Sequence, residues 1–99
     1  TFEDVFNLDD RSIQAIMREV SNDTLTLAMK TSTEDVKEKI FRNISSRAAE
    51  MIKEDLEVMG PVRLSDVEKA QGEIIKIVRK MEEDGKIVLA GRGGEDLLV

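Results

Sequence analysis

Apolar residues recur along the chain at the three- and four-residue spacing of amphipathic helices, in which each residue advances about 100° around the axis. The clearest series follows Asp9-Asp10, which supplies an N-cap and an acidic first turn. Its apolar members are Ile13, Ile16, Met17 and Val20. The pattern therefore predicts a helix with one buried face.

Three shorter helices are predicted on the same grounds. Residues 1–8 predict a single apolar turn. Residues 21–23 break the pattern, and residues 24–30 predict the next helix, in which Lys30 complements the negative C-terminal end of the helix. Residues 33–43 predict a third, which opens on a capping box at residues 32–35. The side chains expected to face the core are Phe2, Val5, Phe6, Leu25, Ala28, Met29, Val36, Ile40 and Phe41.

Residues 45–59 predict a helix with a dense polar face. Ser45 is the expected N-cap, and Gly60-Pro61 ends the helix because glycine can turn left-handed and proline cannot extend a helix. The buried side is expected to carry Ala48, Ala49, Ile52, Leu56 and Met59. The opposite side carries the charged residues Arg47, Glu50, Lys53, Glu54 and Glu57, with Asp55 at its margin.

The longest helix is predicted from a capping box at residues 65–68 to about residue 84, where Gly85 ends it. Its broad apolar stripe consists of Val67, Ala70, Ile74, Ile75, Ile77, Val78 and Met81. Such a stripe indicates a helix packed between others, and Gly72 in its middle is tolerated if another helix crosses closely there. Pro61 makes residues 62–64 an extended connector that holds Arg63 on a stiff loop.

The C-terminal residues favour a different structure. Residues 87–89 are apolar and β-branched enough for a short strand, residues 91–94 form a glycine-rich turn, and residues 97–99 either pair back, cover the core or fray. No linker or repeat divides residues 1–99, which predict a single domain. The predicted fold class is all-α: a compact, roughly orthogonal array of six helices, related to armadillo-like superhelical folds, with a short β tail as an option.

Composition narrows the function. The chain is 40% hydrophobic but only 3% aromatic, so its core must be aliphatic. Its 15 basic and 21 acidic residues give a net charge of -6, which opposes binding to a nucleic-acid backbone. The chain has no Cys and no His, so disulfides, thiolate nucleophiles, zinc–thiolate sites and histidine bases are excluded. Residues 91–94 open no helix and therefore fail as a phosphate loop. We predict a non-enzyme without catalytic, cofactor or metal sites.

The same features bear on location. No apolar run approaches the roughly 20 residues needed to span a bilayer. Residues 1–10 lack the basic start and apolar segment of a signal peptide. The absence of cysteine fits an intracellular compartment. The sequence therefore predicts a soluble domain without direct membrane insertion.

The charges on residues 45–59 have two interpretations. They form either the solvated face of an amphipathic helix, with local ion pairs of a few tenths of a kcal/mol, or a surface that meets another protein. The pattern alone favours the first interpretation. The five Met residues are likewise expected to fill the core rather than to form a binding groove.

Four stretches closely resemble the C-terminal domain family of the bacterial flagellar motor switch protein FliG. They are LDDRSIQ at residues 8–14, REV at 18–20, EKIFRNISSRAA at 38–49 and GPVRLSDVEKAQ at 60–71. The resemblance spans essentially the whole chain, and RNISSRAA and GPVRLSDVE are its most specific parts. It implies a six-helix domain at the edge of the cytoplasmic rotor ring, in which the charged helix at residues 45–59 meets the cytoplasmic loop of the stator protein MotA.

The resemblance also implies roles for individual residues. It places the stator-facing charges on Lys30, Arg47, Glu54, Asp55 and Arg63. Glu54 stands where well-known members have Asp, and Thr31 replaces the Gly that usually follows the lysine. Of the family's Met-Phe-x-Phe hinge only Thr1-Phe2 remain, so Phe2 is the hinge remnant and the chain resembles an excised domain.

Further partners are implied in the same way. They are the switch-complex proteins FliM, FliN and FliF, reached through the full-length protein, and further copies of the chain in a homo-oligomeric ring. The implied location is the flagellar basal body at the cytoplasmic face of the inner membrane. The implied role is to receive torque from the stator and to take part in switching the direction of rotation.

Two alternatives of other classes remain. A long helix followed by residues 87–89 and a glycine turn imitates the recognition helix and wing of a winged-helix nucleic-acid module, with Lys76, Arg79 and Lys80 as the basic side chains. The acidic surroundings count against it. The other alternative is a purely structural helical scaffold.

Overall fold

The computed structural model describes residues 2–87, and every regular element within them is helical. The elements are α1 Phe2–Val5, α2 Asp10–Glu19, α3 Asn22–Ala28, a 3-10 turn at Met29–Thr31, α4 Glu34–Arg42, α5 Ser46–Val58 and α6 Leu64–Glu83. The predicted compact, all-α fold with six helices is therefore confirmed. The strand and glycine turn predicted for the C-terminus lie outside the described residues, except for Ile87, which is buried.

Four elements pack against α6. α3 packs along it most extensively, and α1, α2 and the 3-10 turn also contact it. The stripe expected to be buried on α6 is buried: Val67, Ala70, Ile74, Val78 and Met81. The core is aliphatic apart from Phe2 and Phe6, whose rings meet edge to face at 5.1 Å between centroids. α5 packs mainly against α3, so it lies at the outside of the assembly.

Short polar side chains begin three of the helices. The hydroxyl of Ser21 accepts a hydrogen bond from the backbone N–H of Thr24, and Thr33 and Ser45 cap α4 and α5 in the same way. Each of these bonds satisfies an N–H that the first turn of a helix leaves without a partner. The predicted cap at Ser45 is therefore confirmed. The capping box predicted at residues 32–35 is wrong, because Thr33 and not Ser32 is the N-cap of α4.

Gly85 ends α6 as predicted. Its φ of 75° lies in the left-handed region, which glycine adopts without a Cβ clash. The N–H of Lys86 donates to the carbonyl of Met81 at 2.9 Å, and the N–H of Gly85 donates to that of Glu82 at 3.0 Å. These two bonds form a Schellman motif, which turns the chain so that Ile87 packs into the core.

The boundaries of two helices differ from the prediction. α3 begins at Asn22, two residues early, because Ser21 is its N-cap, and it ends in the 3-10 turn rather than at Lys30. α6 begins at Leu64, so the capping box predicted at residues 65–68 is wrong. Arg63 is in an extended conformation, and its carbonyl accepts the N–H of Val67 at 3.2 Å, which makes it the N-cap.

The explanation expected for Gly72 is also wrong. A Cβ built on Gly72 would meet no atom within 4 Å beyond its own helix backbone and chain neighbours. No neighbouring helix in the described part of the chain therefore requires a glycine at this position by close approach.

Candidate interaction surface on α5

Two buried side chains anchor α5 to the domain. Ala49 and Ile52 are buried, and Ile52 belongs to the main core cluster. Ala48, Leu56 and Met59, which the sequence also places on this side, are only half-buried. The predicted apolar side is thus confirmed, but it is narrower than expected. The rest of the helix circumference is left to solvent.

Arg47, Glu54 and Asp55 lie on the solvent side of α5, and all three are exposed. Within residues 2–87, none of them takes part in an ion pair or a side-chain hydrogen bond. On a helix, Arg47 and Glu54 project within about 20° of each other, and Asp55 projects about 80° from Arg47. The structure therefore brings these three predicted charges together on one exposed side of one helix.

The other two predicted charges lie on other elements. Lys30 is half-buried in the 3-10 turn. Arg63 is exposed at the N-cap of α6, where it lines an open cleft of about 580 Å³ together with Asp23, Leu27 and Pro61. The structure thus distributes the five predicted positions over three elements.

Hydrogen bonds from α6 stabilise the 3-10 turn that carries Lys30. The side-chain amide of Gln71 donates to the carbonyl of Ala28 at 2.9 Å and to the hydroxyl of Thr31 at 3.2 Å. The hydroxyl of Ser32 donates to the same carbonyl. Thr31 therefore supplies a hydrogen-bond acceptor that a glycine would lack.

The predicted hinge remnant, Phe2, lies inside the core. It is buried in α1 and packs against Phe6. α1 in turn contacts α6. Phe2 is therefore part of the packed core of the domain.

Sequence reasoning missed two apolar residues of the α5 surface. Met51 is 48% exposed and Val58 is 81% exposed. The expectation that methionines fill the core holds for Met17, Met29 and Met81 but is wrong for Met51. The signal was available, because a helical projection places Met51 and Val58 about 140° from the mean direction of Ala49 and Ile52.

Lys53 differs from the other charged side chains of α5. Its ammonium lies 5.0 Å from the ring centroid of Phe41 on α4, in a cation–π contact. Phe41 is half-buried and packs against the core. Lys53 therefore helps to hold α5 in place, and it lies on the flank away from Arg47 and Asp55.

Asn43 shows that part of the RNISSRAA stretch is structural. It is 7% exposed, donates to the carbonyl of Lys39 at 2.8 Å, and accepts from the amide of Gln14 at 3.1 Å. Arg42 pairs with Asp10 at 2.9 Å. The hydrogen bonds from Arg42 and then Asn43 lower the pKa of Asp10. These residues therefore join α4 to α2 just before α5 begins.

Residues 2–87 contain neither a metal-binding cluster nor a membrane-spanning helix. No group of three or more acidic side chains there is placed to hold a metal ion. No helix there is long and apolar enough to cross a membrane.

Comparison with known proteins assigns the family. The sequence model of the FliG C-terminal domain family matches residues 1–89. The flagellar motor switch protein FliG of Thermotoga maritima is 56% identical over 98 residues, and that of Pseudomonas aeruginosa is 55% identical over 97. These matches cover 99% and 98% of the chain, which spans 29% of the length of each of these curated relatives.

A solved structure gives the same result. A crystal structure of FliG from H. pylori superposes with a TM-score of 0.83 at 44% sequence identity, covering 86% of this chain and 37% of that one. The helical arrangement and the sequence therefore agree. The chain belongs to the FliG C-terminal domain family.

Proposed function

We propose that this chain is the torque-receiving part of a flagellar rotor, and that the exposed charges of α5 engage the cytoplasmic loop of the stator protein MotA. Membership of the family and the name shared by its relatives support a component of the motor switch, not an enzyme. The observation that carries the proposal is that Arg47, Glu54 and Asp55 are exposed together and have no partner within the described residues.

The strength of such contacts suits a motor. An exposed ion pair contributes about 0.2 to 1 kcal/mol, and its field fades within about 8 Å at physiological salt. Each contact is therefore weak and short-ranged, so a stator loop can engage one subunit, push it and release it. The energy comes from ion flow in the stator, and no covalent step is required of this chain.

The rigidity of α5 is the second requirement. A lateral push on Arg47 or Asp55 reaches the domain only if the helix does not slide. The buried Ile52, the cap at Ser45 and the contact of Lys53 with Phe41 all resist such sliding. Lys30 and Arg63 are proposed as supporting contacts on the neighbouring elements.

The remaining assignments concern the assembled motor. We place the chain in a homo-oligomeric ring in the switch complex of the basal body, at the cytoplasmic face of the inner membrane, with FliM, FliN and FliF as partners of the full-length protein. Switching would rotate this domain at a hinge ahead of Phe2 and present a different flank of α5 to the stator.

Charge reversal at Arg47 tests the proposal. In the full-length protein, Arg47→Glu should impair swimming, and a matching reversal in the MotA loop should restore part of it. The helical content and melting temperature of the purified variant should equal those of the wild type, because Arg47 is exposed and makes no ion pair or side-chain hydrogen bond within the described residues. Unchanged swimming, or the absence of any restoring MotA variant, would contradict the proposal.

A matched control is available on α6. Arg79 is also exposed and lies about 24 Å along the helix axis from Arg63. Arg79→Glu makes the same change in net charge away from the α5 surface, so it should leave swimming intact. Equal impairment by both variants would indicate a general effect of charge and not a contact at Arg47.

A further inference from the structure

We propose that Met51 and Val58, here called the apolar strip, form the binding core of the α5 surface and accept an amphipathic helix of the partner. The inference rests on the proposed function, in which that partner is the stator. The inference assigns separate roles to the two kinds of residue. The apolar strip supplies most of the affinity, and the surrounding charges select the partner and its orientation.

The apolar strip is a geometric unit. Met51 and Val58 are seven residues apart, so they project within about 20° of each other and lie about 10.5 Å apart along the axis. This is the heptad spacing at which helices pack side by side. Both residues point away from the side of α5 that Ala49 and Ile52 bury, so the strip does not belong to the core of the domain.

The apolar strip is more exposed than nearly all other large hydrophobic side chains of the described residues. Only three large hydrophobic side chains there are exposed, and two of them form the strip. A single exposed apolar residue is ordinary. Two that are aligned on one helix and bordered by Arg47, Glu54 and Asp55 have the arrangement of a protein interface, with an apolar centre and a polar rim.

The order of the charges defines the occupant. Along the helix the side chains run basic at Arg47, apolar at Met51, acidic at Glu54 and Asp55, and apolar at Val58. A complementary helix therefore carries apolar residues seven apart, an acidic residue opposite Arg47, and a basic residue about 10.5 to 12 Å further along. Turning that helix end for end would oppose like charges, so the pattern admits one orientation.

The two kinds of contact differ in strength and in response to salt. The charges are exposed and are therefore screened. Burial of an apolar side chain is insensitive to moderate salt, and for a side chain the size of Val or Met it corresponds to about tenfold in affinity. We therefore expect the strip to hold the complex when salt weakens the ion pairs.

The test uses near-isosteric polar replacements in the complete switch protein. Met51→Gln and Val58→Thr preserve shape but remove apolar surface. Calorimetric titration with the cytoplasmic region of MotA should show affinity reduced about fivefold to tenfold by each change at both low and high salt. Arg47→Glu should instead weaken binding mainly at low salt. Melting of each variant should match the wild type, since neither side chain is buried.

Leu64 provides the matched control. It is 60% exposed and lies on α6, outside the strip. Leu64→Gln should bind MotA as the wild type does. An equal loss of affinity in Leu64→Gln would overturn the inference, because it would show a general effect of apolar surface.

Other outcomes separate the two proposals. If Arg47→Glu loses binding while Met51→Gln and Val58→Thr retain it, the inference is wrong and the proposed function stands. If no α5 variant alters MotA binding, both are wrong. If sedimentation shows that the protein self-associates and that Met51→Gln abolishes this, the occupant of the strip is a second copy of the chain and the inference is overturned.

Discussion

The side-chain amide of Asn43 donates to the carboxylate of Asp10 at 3.1 Å, and so joins the residue after α4 to the first residue of α2. Arg42 donates to the same carboxylate oxygen at 2.9 Å. The contact spans 33 residues of sequence. It holds the end of α4 against α2, three residues before the start of α5, which carries the charged surface.

This contact should make stability depend on pH in a defined direction. Hydrogen bonds from Arg42 and then Asn43 lower the pKa of Asp10 below its ordinary value of 3.8. A carboxyl group whose pKa is lower in the folded state than in the unfolded state stabilises the fold at pH values above the unfolded-state pKa. This stabilisation is lost as the pH falls through the folded-state pKa. Asp10→Asn should therefore lower the urea midpoint at neutral pH but have a much smaller effect well below pH 3.8.

Glu34→Gln is the control for this experiment. Glu34 pairs with Lys37 at 3.7 Å within one helix, and its side chain is almost fully exposed. Its removal should change the urea midpoint less at neutral pH than Asp10→Asn does. Equal effects of the two variants at all pH values would show that the contact between α2 and α4 has no special role.

Gly72 and Gly85 should respond to alanine with opposite signs. Gly72 lies inside α6 with open space around the missing Cβ, so Gly72→Ala should raise the free energy of unfolding by about 0.5 to 1 kcal/mol. Gly85 has a φ of 75°, so Gly85→Ala should lower it by about 1 to 2 kcal/mol. Urea denaturation of both variants checks this. A destabilised Gly72→Ala would imply a contact at Gly72 that the described residues lack.

Gln71 should stabilise the turn that carries Lys30. Gln71→Ala removes the donor to Ala28 and Thr31, so it should lower the free energy of unfolding by about 1 kcal/mol. It should also speed hydrogen exchange at the Ser32 amide, which donates to Met29. Lys69→Ala, an exposed change on the same helix, should do neither. Unaltered hydrogen exchange at the Ser32 amide in Gln71→Ala would show that the turn is stable without the hydrogen bonds from Gln71.

The sequence predicted the elements well and the contacts between them poorly. The stripes on α2 and α6, the cap at Ser45 and the stop at Gly85 were all found. Each depends on residues within a few positions along the chain. The start of α6 was missed because the backbone after Pro61, and not the side chain of Ser65, selects its N-cap. The roles of Asn43 and Gln71 were missed because their partners are distant in sequence.

Some features of the candidate surface on α5 also follow from the local sequence, and others depend on contacts between distant elements. The sequence by itself determined that α5 is amphipathic, that Arg47 and Glu54 share its polar side and that Asp55 lies at the margin of that side, since helical periodicity alone sets these directions. Only the tertiary structure decided that α5 is covered mainly by α3 and that the three charges have no ion-pair or hydrogen-bond partner in the described domain. Exposure depends on which elements pack against a helix, and that packing is set by long-range burial that no local pattern contains.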